Sequence, residues 1–413
     1  MTTQPTQSGF SGLKVVELAS FIAAPAAATM LSDFGADVIK VEAPGMGDPQ
    51  RLLSSVPPSP PALGNYSWHL ANRNKRGMSI NLKSEGGTQI LKRLVEWADV
   101  LITNFPHGTR EGLHLGYEEV SSWNPRIIYA DITGFGDVGP DAKLPGFDLT
   151  AFWSRSGLLA STRDAGSPPT APPWGSGDYT TAVAIYAAIT TALYHRERTG
   201  RGANVGTSLL ATGVWATGTL VSAALAGAKA YELNDRNNPV NALTNPYVCG
   251  DGRWMMLAGK RSAFPVLANA IGRSDLLSDP RFSDLEAISK HAGELAAVLD
   301  AEFRAQPLAH WKEVLDKARI PYGIIQTPEE AAEDPQLRAN NIVVPIEGAA
   351  DLDYTVNNPL TLRGMARVPA RRAPEHGEHN AEILAQLGFS ADDIDQLQVT
   401  GAIPGAPEQE TAK

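Results

Sequence analysis

Short apolar runs and longer helical patterns alternate along the first third of the chain. Runs rich in β-branched residues predict four strands, at 13–18, 37–41, 100–103 and 127–133. Apolar residues spaced three and four apart predict helices at 24–34 and 84–97. Strands that alternate with helices usually form a mostly parallel sheet that is covered on both faces. We therefore predict an α/β fold with a Rossmann-like large domain.

The chain has 413 residues, which exceeds the size at which a single core usually stops growing, so we expect two domains. We predict a large domain at 9–228, a smaller α+β domain at 229–319, and a linker that returns to the large domain at 320–404. In the last two segments, we predict a strand at 254–258 and helices at 264–271, 309–318 and 380–387.

Two stretches in the predicted large domain differ from the alternating pattern. Residues 43–76 are rich in proline, glycine and serine, which predicts a long loop, and loops of that length inside a domain are usually functional. Residues 205–228 carry no charged side chain, so a membrane span has to be considered. Because this stretch is rich in Ser, Thr, Gly and Ala, we predict a short strand followed by a helix buried in protein.

Composition narrows the class of protein. The net charge of −10 argues against a nucleic-acid-binding surface, which normally shows a basic footprint. A single cysteine, Cys249, excludes an internal disulfide and suits the reducing cytoplasm. The N-terminal residues lack the charged-then-apolar layout of a signal peptide. We therefore expect a cytoplasmic protein with neither a nucleic-acid nor a membrane partner.

Three familiar motifs are rejected, two because of the residues around them and one because it does not occur. The glycine pattern at 134–139 matches a dinucleotide-binding fingerprint, but Pro140 and Pro145 follow where a helix is required, so an NAD-dependent oxidoreductase is disfavoured. His376 and His379 lie beside Pro374 and Gly377, which favours a loop over a metal-binding helix face, and no metal is expected. No Gly-x-Ser-x-Gly elbow of a serine hydrolase occurs.

Asp178 is the strongest candidate for chemistry. It follows Gly175 and Gly177 where an apolar helical pattern begins, at 180–198. Glycines permit a tight turn and a close approach to a ligand. The carboxylate has two compatible interpretations: it caps the helix N-terminus, which typically contributes about 1 kcal/mol, or it is a catalytic nucleophile.

Several segments in this order and spacing resemble the family III CoA-transferases, a group that includes formyl-CoA, carnitine and 2-hydroxyacyl CoA-transferases and, more distantly, α-methylacyl-CoA racemase. The resemblance extends from about residue 12 to residue 388. The matching segments are 12–17, 33–42, 72–76, 103–105, 133–136, 177–178, 195–202 and 334–337.

The resemblance implies a function and an assembly. Asp178 would attack an acyl-CoA thioester and carry CoA as an aspartyl-CoA thioester to a carboxylic acid acceptor. Backbone N–H groups near Gly175 and Gly177 would stabilise the oxyanion. The CoA thioester would be a substrate, with no permanently bound cofactor, and the family fold implies an interlocked homodimer. The alternatives are an acyl-CoA isomerase, by intramolecular CoA transfer or α-methylacyl-CoA racemisation, and an inactive CoA-ester-binding protein.

The resemblance also implies which residues contact CoA, on loops that follow the strands. These are Ile22, Ala23, Ala43, Asn81, Leu82, Lys83, Asn104 and Phe105. The family often has an arginine where this chain has Gly112, so Arg110 and Arg51 become alternative partners for the CoA phosphates.

Two further departures bear on specificity. Asn238–Pro239–Val240–Asn241 stands near the place of the family's glycine-rich substrate loop, which argues against a formyl-CoA:oxalate enzyme. The racemases' Gly-His-Asp triplet corresponds to Gly146-Phe147-Asp148, and phenylalanine cannot carry a proton, which disfavours racemisation. Four aromatic residues are candidates either for an acyl pocket or for the core: Phe147, Trp153, Tyr66 and Trp68.

Overall fold

A computed structural model describes residues 8–229 and 235–405. The chain forms two compact units. The larger unit comprises the chain up to Leu158, Ala171–Val221, and the chain from Pro335 onward. The smaller unit comprises Leu159–Thr170 and Ser222–Asp334. The limits 229 and 319 given above for the smaller domain stay a prediction.

A six-stranded parallel sheet is the centre of the larger unit, which confirms the predicted α/β fold. Its strands lie in the order β3-β2-β1-β4-β5-β6, the Rossmann order in which the direction of winding reverses between β1 and β4. The strands are β1 (Lys14–Leu18), β2 (Asp37–Glu42), β3 (Arg76–Ser79), β4 (Val100–Thr103), β5 (Ile128–Thr133) and β6 (Ala203–Ser208). The four predicted strands are confirmed to within one residue at each end.

Helices follow these strands along the chain. They are α1 (Ala23–Ser32), α2 (Tyr66–Asn72), α3 (Glu85–Trp97), α4 (His107–Gly112), α5 (Tyr117–Trp123), α6 (Leu158–Ser161), α7 (Ser176–Thr199), α8 (Leu209–Ala216) and α9 (Gly218–Leu225). The two helices predicted at 24–34 and 84–97 are confirmed as α1 and α3. Ser84 caps α3, because its hydroxyl accepts a hydrogen bond from the Gly87 N–H.

The smaller unit has an antiparallel sheet, β7 (Thr244–Val248), β8 (Trp254–Ala258) and β9 (Tyr322–Ile324). Its helices are α10 (Phe264–Ala270), α11 (Leu285–Lys290), α12 (Ala292–Phe303), α13 (Leu308–Ala318) and α14 (Pro328–Glu333). The predicted strand at 254–258 and the predicted helices at 264–271 and 309–318 are confirmed as β8, α10 and α13.

The last part of the chain belongs to the larger unit. It contains α15 (Pro335–Ala339), β10 (Val343–Glu347), β11 (Tyr354–Val356), β12 (Ala370–Arg371), α16 (Asn380–Gln386) and α17 (Ala391–Val399). The helix predicted at 380–387 is confirmed as α16. Ile383 and Leu397, from α16 and α17, are buried in the core on one face of the large sheet.

Neighbouring residues of each central strand enter different cores. Val15 packs with α1 and α7, whose contributions include Leu31 and Ile189. Val16 faces the other side and packs with α3 and with the C-terminal helices. Because both faces are covered, apolar residues on both faces form short runs in the central strands, which is why these strands stand out in the sequence despite buried charges such as Glu17.

The segment 43–76 is more ordered than the loop that its composition predicts. It contains a 3₁₀ helix, Pro49–Ser55, and α2. The Asn65 side chain caps α2 by accepting a hydrogen bond from the Trp68 N–H. Trp68 is buried, and its indole N–H donates to the Pro374 carbonyl. One cap and one buried aromatic residue therefore order a segment whose average composition is that of a loop.

The stretch 205–228 also differs in part from its prediction. A strand followed by a helix is confirmed as β6 and α8, but α9 follows, and no residue of α9 is buried. Trp215, at the end of α8, is 87% exposed. The predicted burial of this helical region is therefore wrong for the single chain.

A cluster of buried charges lies at the carboxyl ends of β1 and β2. Glu17 binds two ammonium groups, Lys40 at 2.7 Å and Lys75 at 2.6 Å, and all three side chains are inaccessible to solvent. Lys40 also pairs with Asp48 at 2.8 Å. Burial lowers the pKa of Lys75 to about 8, although Glu17 opposes the shift. For Lys40, Asp48 and Glu17 outweigh the effect of burial and raise the pKa.

Replacing Glu17 with alanine should destabilise the larger unit strongly. The substitution leaves two buried ammonium groups without their shared carboxylate, which typically costs about 3–5 kcal/mol. Urea unfolding should show a large fall in the midpoint. Glu96→Ala is the control, since Glu96 forms an exposed ion pair with Arg93 at 3.6 Å and should change stability by less than about 1 kcal/mol. Equal midpoints for the two variants would contradict a stabilising role for the cluster.

Candidate active site

Helix α7 begins earlier than predicted, which changes the position of Asp178. The helix starts at Ser176, after Gly175, whose backbone is left-handed with φ 84°. Asp178 is therefore the third residue of the helix, and the interpretation of Asp178 as the capping residue is wrong. Its carboxylate lies in the first turn, where the helix dipole favours a negative charge.

The Asp148 carboxylate holds the turn that carries Asp178. It accepts hydrogen bonds from the N–H of Gly175 at 2.5 Å and of Gly177 at 2.9 Å. A side chain at position 177 is excluded, because its Cβ would lie 2.2 Å from Phe152 and 2.3 Å from the Asp148 carboxylate. These two N–H groups are thus already bound to Asp148, and the expectation that N–H groups near Gly175 and Gly177 stabilise an oxyanion stays a prediction.

The same arrangement sets the ionisation of Asp178. Burial, reinforced by the negative charge of Asp148, raises the pKa of Asp178 to about 7. No other charged group contributes to this shift among the described residues, and the structure of those residues gives the Asp178 carboxylate no hydrogen-bond partner. Burial also raises the pKa of Asp148, although its two N–H donors oppose that effect. Asp178 is therefore a partly buried carboxylate that titrates near neutral pH.

The loop that follows β1 contacts the same turn. The Asn104 amide binds both backbone groups of Ser20, accepting from its N–H at 2.9 Å and donating to its carbonyl at 2.7 Å. Asp48 accepts from the Phe21 N–H at 3.0 Å. Ile22 lies against Gly175, since a Cβ placed on that glycine would be 3.2 Å from the Ile22 Cδ1 atom. Ile22 and Asn104, both predicted from the sequence, thus lie in the neighbourhood of Asp178.

The residues predicted to contact CoA follow the carboxyl ends of four adjacent strands. Ile22 and Ala23 follow β1, Ala43 follows β2, Asn81, Leu82 and Lys83 follow β3, and Asn104 and Phe105 follow β4. Lys83 and Ala43 are exposed, whereas Ile22 and Ala23 are buried. The structure therefore brings these positions to one edge of the sheet, where open α/β sheets bind ligands.

The two arginines suggested as phosphate partners are bound elsewhere. Arg51 forms two hydrogen bonds with Glu42, at 2.7 and 2.8 Å, and stacks on Trp68 at 3.8 Å. Arg110 is buried and pairs with Asp131 at 3.0 Å. Each guanidinium already has a carboxylate partner, so neither is free to bind a phosphate without losing an ion pair.

The four aromatic candidates for an acyl pocket have different environments. Trp68 is buried, and Trp153 packs edge-to-face on Phe152 at 5.7 Å. The Tyr66 hydroxyl donates to the Pro60 carbonyl. Phe147 is 56% exposed, next to Asp148. Of the four, Phe147 is the residue whose ring is presented to solvent beside the Asp178 turn.

Two of the residues that shape this site were missed from the sequence. From the sequence, Asp148 is named only as the neighbour of Phe147. The pattern that could have drawn attention to it is a carboxylate directly after a glycine and an aromatic residue. Phe21 adopts a left-handed backbone, φ 65°, for which the local sequence offers no signal.

The described ranges, 8–229 and 235–405, contain neither a metal-binding cluster nor a membrane-spanning helix. No group of three or more His, Cys, Asp or Glu side chains in these ranges is placed to hold a metal ion. No helix in the same ranges is long and apolar enough to cross a membrane.

Comparison with known proteins identifies the family. Residues 10–380 match the model of CoA-transferase family III, and the chain belongs to this family. It is 33% identical to the (R)-2-hydroxy-4-methylpentanoate CoA-transferase of Clostridioides difficile, over 94% of this chain and 97% of that protein. It is 32% identical to the cinnamoyl-CoA:phenyllactate CoA-transferase of Clostridium sporogenes, over 94% and 96%.

A solved structure agrees with this assignment. A CAIB/BAIF family protein from Brucella suis superimposes with a TM-score of 0.82 at 30% identity, covering 92% of this chain and all of that one. The predicted family, fold class and enzyme class are thus confirmed, and the chain is a CoA-transferase.

Replacing Asp178 with asparagine should stabilise the folded protein above neutral pH. The folded-state pKa of about 7 lies above the ordinary value of 3.8, so the wild type loses stability as pH rises from about 4 to about 7 and stays at the lower stability above that range. The variant should therefore be more stable by a few kcal/mol at pH 8, and the difference should shrink towards pH 4. Urea unfolding across this range measures it.

Asp392→Asn is the matched control, because Asp392 is an exposed aspartate in the first turn of α17. The difference in stability between Asp392→Asn and the wild type should not grow from pH 4 to pH 8. A difference between Asp178→Asn and wild type that stays constant from pH 4 to pH 8 would contradict the raised pKa.

Proposed function

We propose that this enzyme transfers CoA from an acyl-CoA thioester to a carboxylic acid through a covalent aspartyl-CoA intermediate on Asp178. The observation that carries the proposal is the state of Asp178, a partly buried carboxylate with a pKa of about 7 at a glycine turn. A carboxylate that is poorly solvated and still ionisable at neutral pH is suited to nucleophilic attack.

In the proposed reaction, CoA moves from the carboxyl group of the donor to that of Asp178, and then to that of the acceptor acid. An Asp178 oxygen attacks the thioester carbonyl carbon, and the C–S bond breaks. CoA departs as a thiolate, and the donor acyl group is now joined to Asp178 in a mixed anhydride. The thiolate then attacks the Asp178 carbonyl carbon, which releases the donor carboxylate and forms the aspartyl-CoA thioester. The acceptor carboxylate attacks this thioester, and the thiolate attacks the acyl carbonyl of the new anhydride. Asp178 is regenerated and a new acyl-CoA is formed.

Asp148 has a positioning role in this scheme. Its two hydrogen bonds to the turn fix the backbone on either side of Ser176, immediately before Asp178. A nucleophile held in one place loses less entropy on reaching the transition state. The negative charge of Asp148 also raises the pKa of Asp178, which makes the ionised carboxylate more basic.

The edge formed by the loops after β1 to β4 is the proposed CoA site. Ile22, Ala23, Ala43, Asn81, Leu82, Lys83, Asn104 and Phe105 line this edge. Lys83 is exposed there and supplies a positive charge for a phosphate group. The side chain of Asn104 is bound to Ser20, so we assign to it the positioning of the β1 loop.

A homodimer is part of the proposal. The larger unit has a cleft of about 1500 Å³ that is lined mainly by apolar side chains, among them Met30, Val183, Trp215 and Val356. Trp215 is 87% exposed in the single chain. A second copy that covers this surface, interlocked as the family resemblance implies, would bury it.

The buried lone cysteine, Cys249, suits the cytoplasm that we propose as the compartment.

Loss of the Asp178 carboxylate should abolish transfer. Asp178→Asn should lower turnover by about 10⁴-fold or more, as expected when a covalent nucleophile is removed. The assay supplies succinyl-CoA or acetyl-CoA with a mixture of carboxylic acids and detects new CoA esters by mass spectrometry. Hydroxylamine added during turnover should form a hydroxamate at Asp178 in the wild type.

Ser176→Ala is the control from the same turn, since the exposed Ser176 hydroxyl donates only to the Pro173 carbonyl. It should stay within a few-fold of the wild type. Full activity of Asp178→Asn, or a hydroxamate on another residue, would refute the assigned role. Solvent deuterium entering the acyl α-carbon would indicate racemisation instead, for which Phe147 supplies no base.

Dimer formation should depend on the exposed surface of α8. Trp215→Asp places a charge on this apolar surface and should shift the protein from dimer to monomer in sedimentation velocity. Val399→Asp is the control, because Val399 is 81% exposed at the end of α17 and should leave the dimer intact. A monomeric wild type would refute the proposed assembly.

A further inference from the structure

Two phenylalanines, Phe21 and Phe147, each directly precede a residue that contacts the turn carrying Asp178. Phe21 and Phe147 meet edge-to-face, with ring centroids 6.0 Å apart and ring planes at 87°. They are 37% and 56% exposed. Phe21 immediately precedes Ile22, which lies against Gly175, and Phe147 immediately precedes Asp148, which binds the amides of Gly175 and Gly177. Each ring is thus one residue from a contact with the turn.

The backbone of Phe21 is held in an unfavourable conformation. Its φ of 65° lies in the left-handed region, which is sterically unfavourable for a bulky residue. Asp48 accepts the Phe21 N–H, and Asp48 is itself buried against Lys40. Asn104 fixes Ser20, the preceding residue, by two hydrogen bonds. Groups from β2 and from the loops that follow β2 and β4 therefore hold the Phe21 backbone in this conformation, and a strained backbone of this kind is typical of functional sites.

The electrostatic environment of Asp178 is negative. In the described part of the chain, the only charged side chain that contributes to the pKa of Asp178 is Asp148. The guanidinium groups of Arg51 and Arg110 are paired with Glu42 and Asp131. A second carboxylate on a bound substrate would add a third negative charge beside Asp148 and Asp178, and this is unfavourable where water is displaced.

We infer that Phe21 and Phe147 select the acyl group presented to Asp178, and that this group is apolar, a branched alkyl or aryl chain without a second carboxylate. The inference rests on the proposed function and specifies its substrate class. An apolar chain would cover both exposed rings and gain hydrophobic and aromatic contacts with them, whereas the second carboxylate of a dicarboxylate would gain no such contact and would be repelled by Asp148.

The test compares two acceptor acids of similar length, 4-methylpentanoate and glutarate, with butanoyl-CoA as the donor and the full-length enzyme. The measured quantity is the ratio of kcat/KM for the two acceptors. In the wild type the ratio should favour 4-methylpentanoate by about tenfold or more. Phe147→Ala should lower the ratio about tenfold, chiefly through the apolar acid. Phe147→Arg should favour glutarate further, because it supplies a cation.

Two controls separate selection from a general effect on folding. Phe147→Tyr keeps the ring and should keep most of the preference. Tyr194→Ala removes an exposed ring sixteen positions beyond Asp178 on α7, which is about 24 Å away at the rise of a helix, and should leave the ratio unchanged.

The outcomes distinguish the inference from the proposed function. A wild-type preference for glutarate, or equal use of both acids, would overturn the inference and leave CoA transfer intact. An equal loss for both acids in Phe147→Ala would mean that the ring is structural. If no acid in a broad mixture formed a CoA ester and hydroxylamine trapped nothing, the proposed function would fall, and the inference with it.

Discussion

The structure of this site depends on one carboxylate, Asp148, and the two backbone amides that it binds. The N–H groups of Gly175 and Gly177 both donate to it, which fixes the left-handed turn and the first residue of α7. The same contact explains why position 177 excludes any side chain. Burial raises the pKa of Asp178, and the negative charge of Asp148 adds to that shift. The Asp148 contact thus sets the position of the proposed nucleophile and adds to the effect of burial on its ionisation.

The buried charges beneath the β1 loop connect this site to the sheet. Glu17 joins Lys40 and Lys75, and Lys40 in turn binds Asp48, whose carboxylate accepts the Phe21 N–H. The four charged side chains in this series of contacts, Glu17, Lys40, Lys75 and Asp48, are all buried, so movement of one would leave another charge unpaired at high cost. The loop beside Asp178 is therefore positioned by the core rather than by its own short sequence.

The sequence predicted the fold better than the site, for a physical reason. Strands such as Val100–Thr103 are buried on both faces, so their apolar runs are visible locally. The start of α7 was missed because Gly175, Ser176 and Gly177 are weak helix formers, and only the contact with Asp148 makes this turn stable. That contact spans 27 residues, and no local pattern reports it. The same holds for Trp68, which orders α2 through Pro374, far along the chain.

The enzyme gives up stability at the position where it gains reactivity. An aspartate with a pKa of about 7 is partly ionised at neutral pH, and its ionisation opposes folding. A well-solvated aspartate would avoid this cost, but solvation would also weaken it as a nucleophile. Other parts of the fold offset this loss of stability. Apolar side chains cover both faces of the large sheet, and the buried charges around Glu17 are paired. An unpaired, partly buried carboxylate beside a paired and buried cluster is therefore better explained by catalysis than by folding.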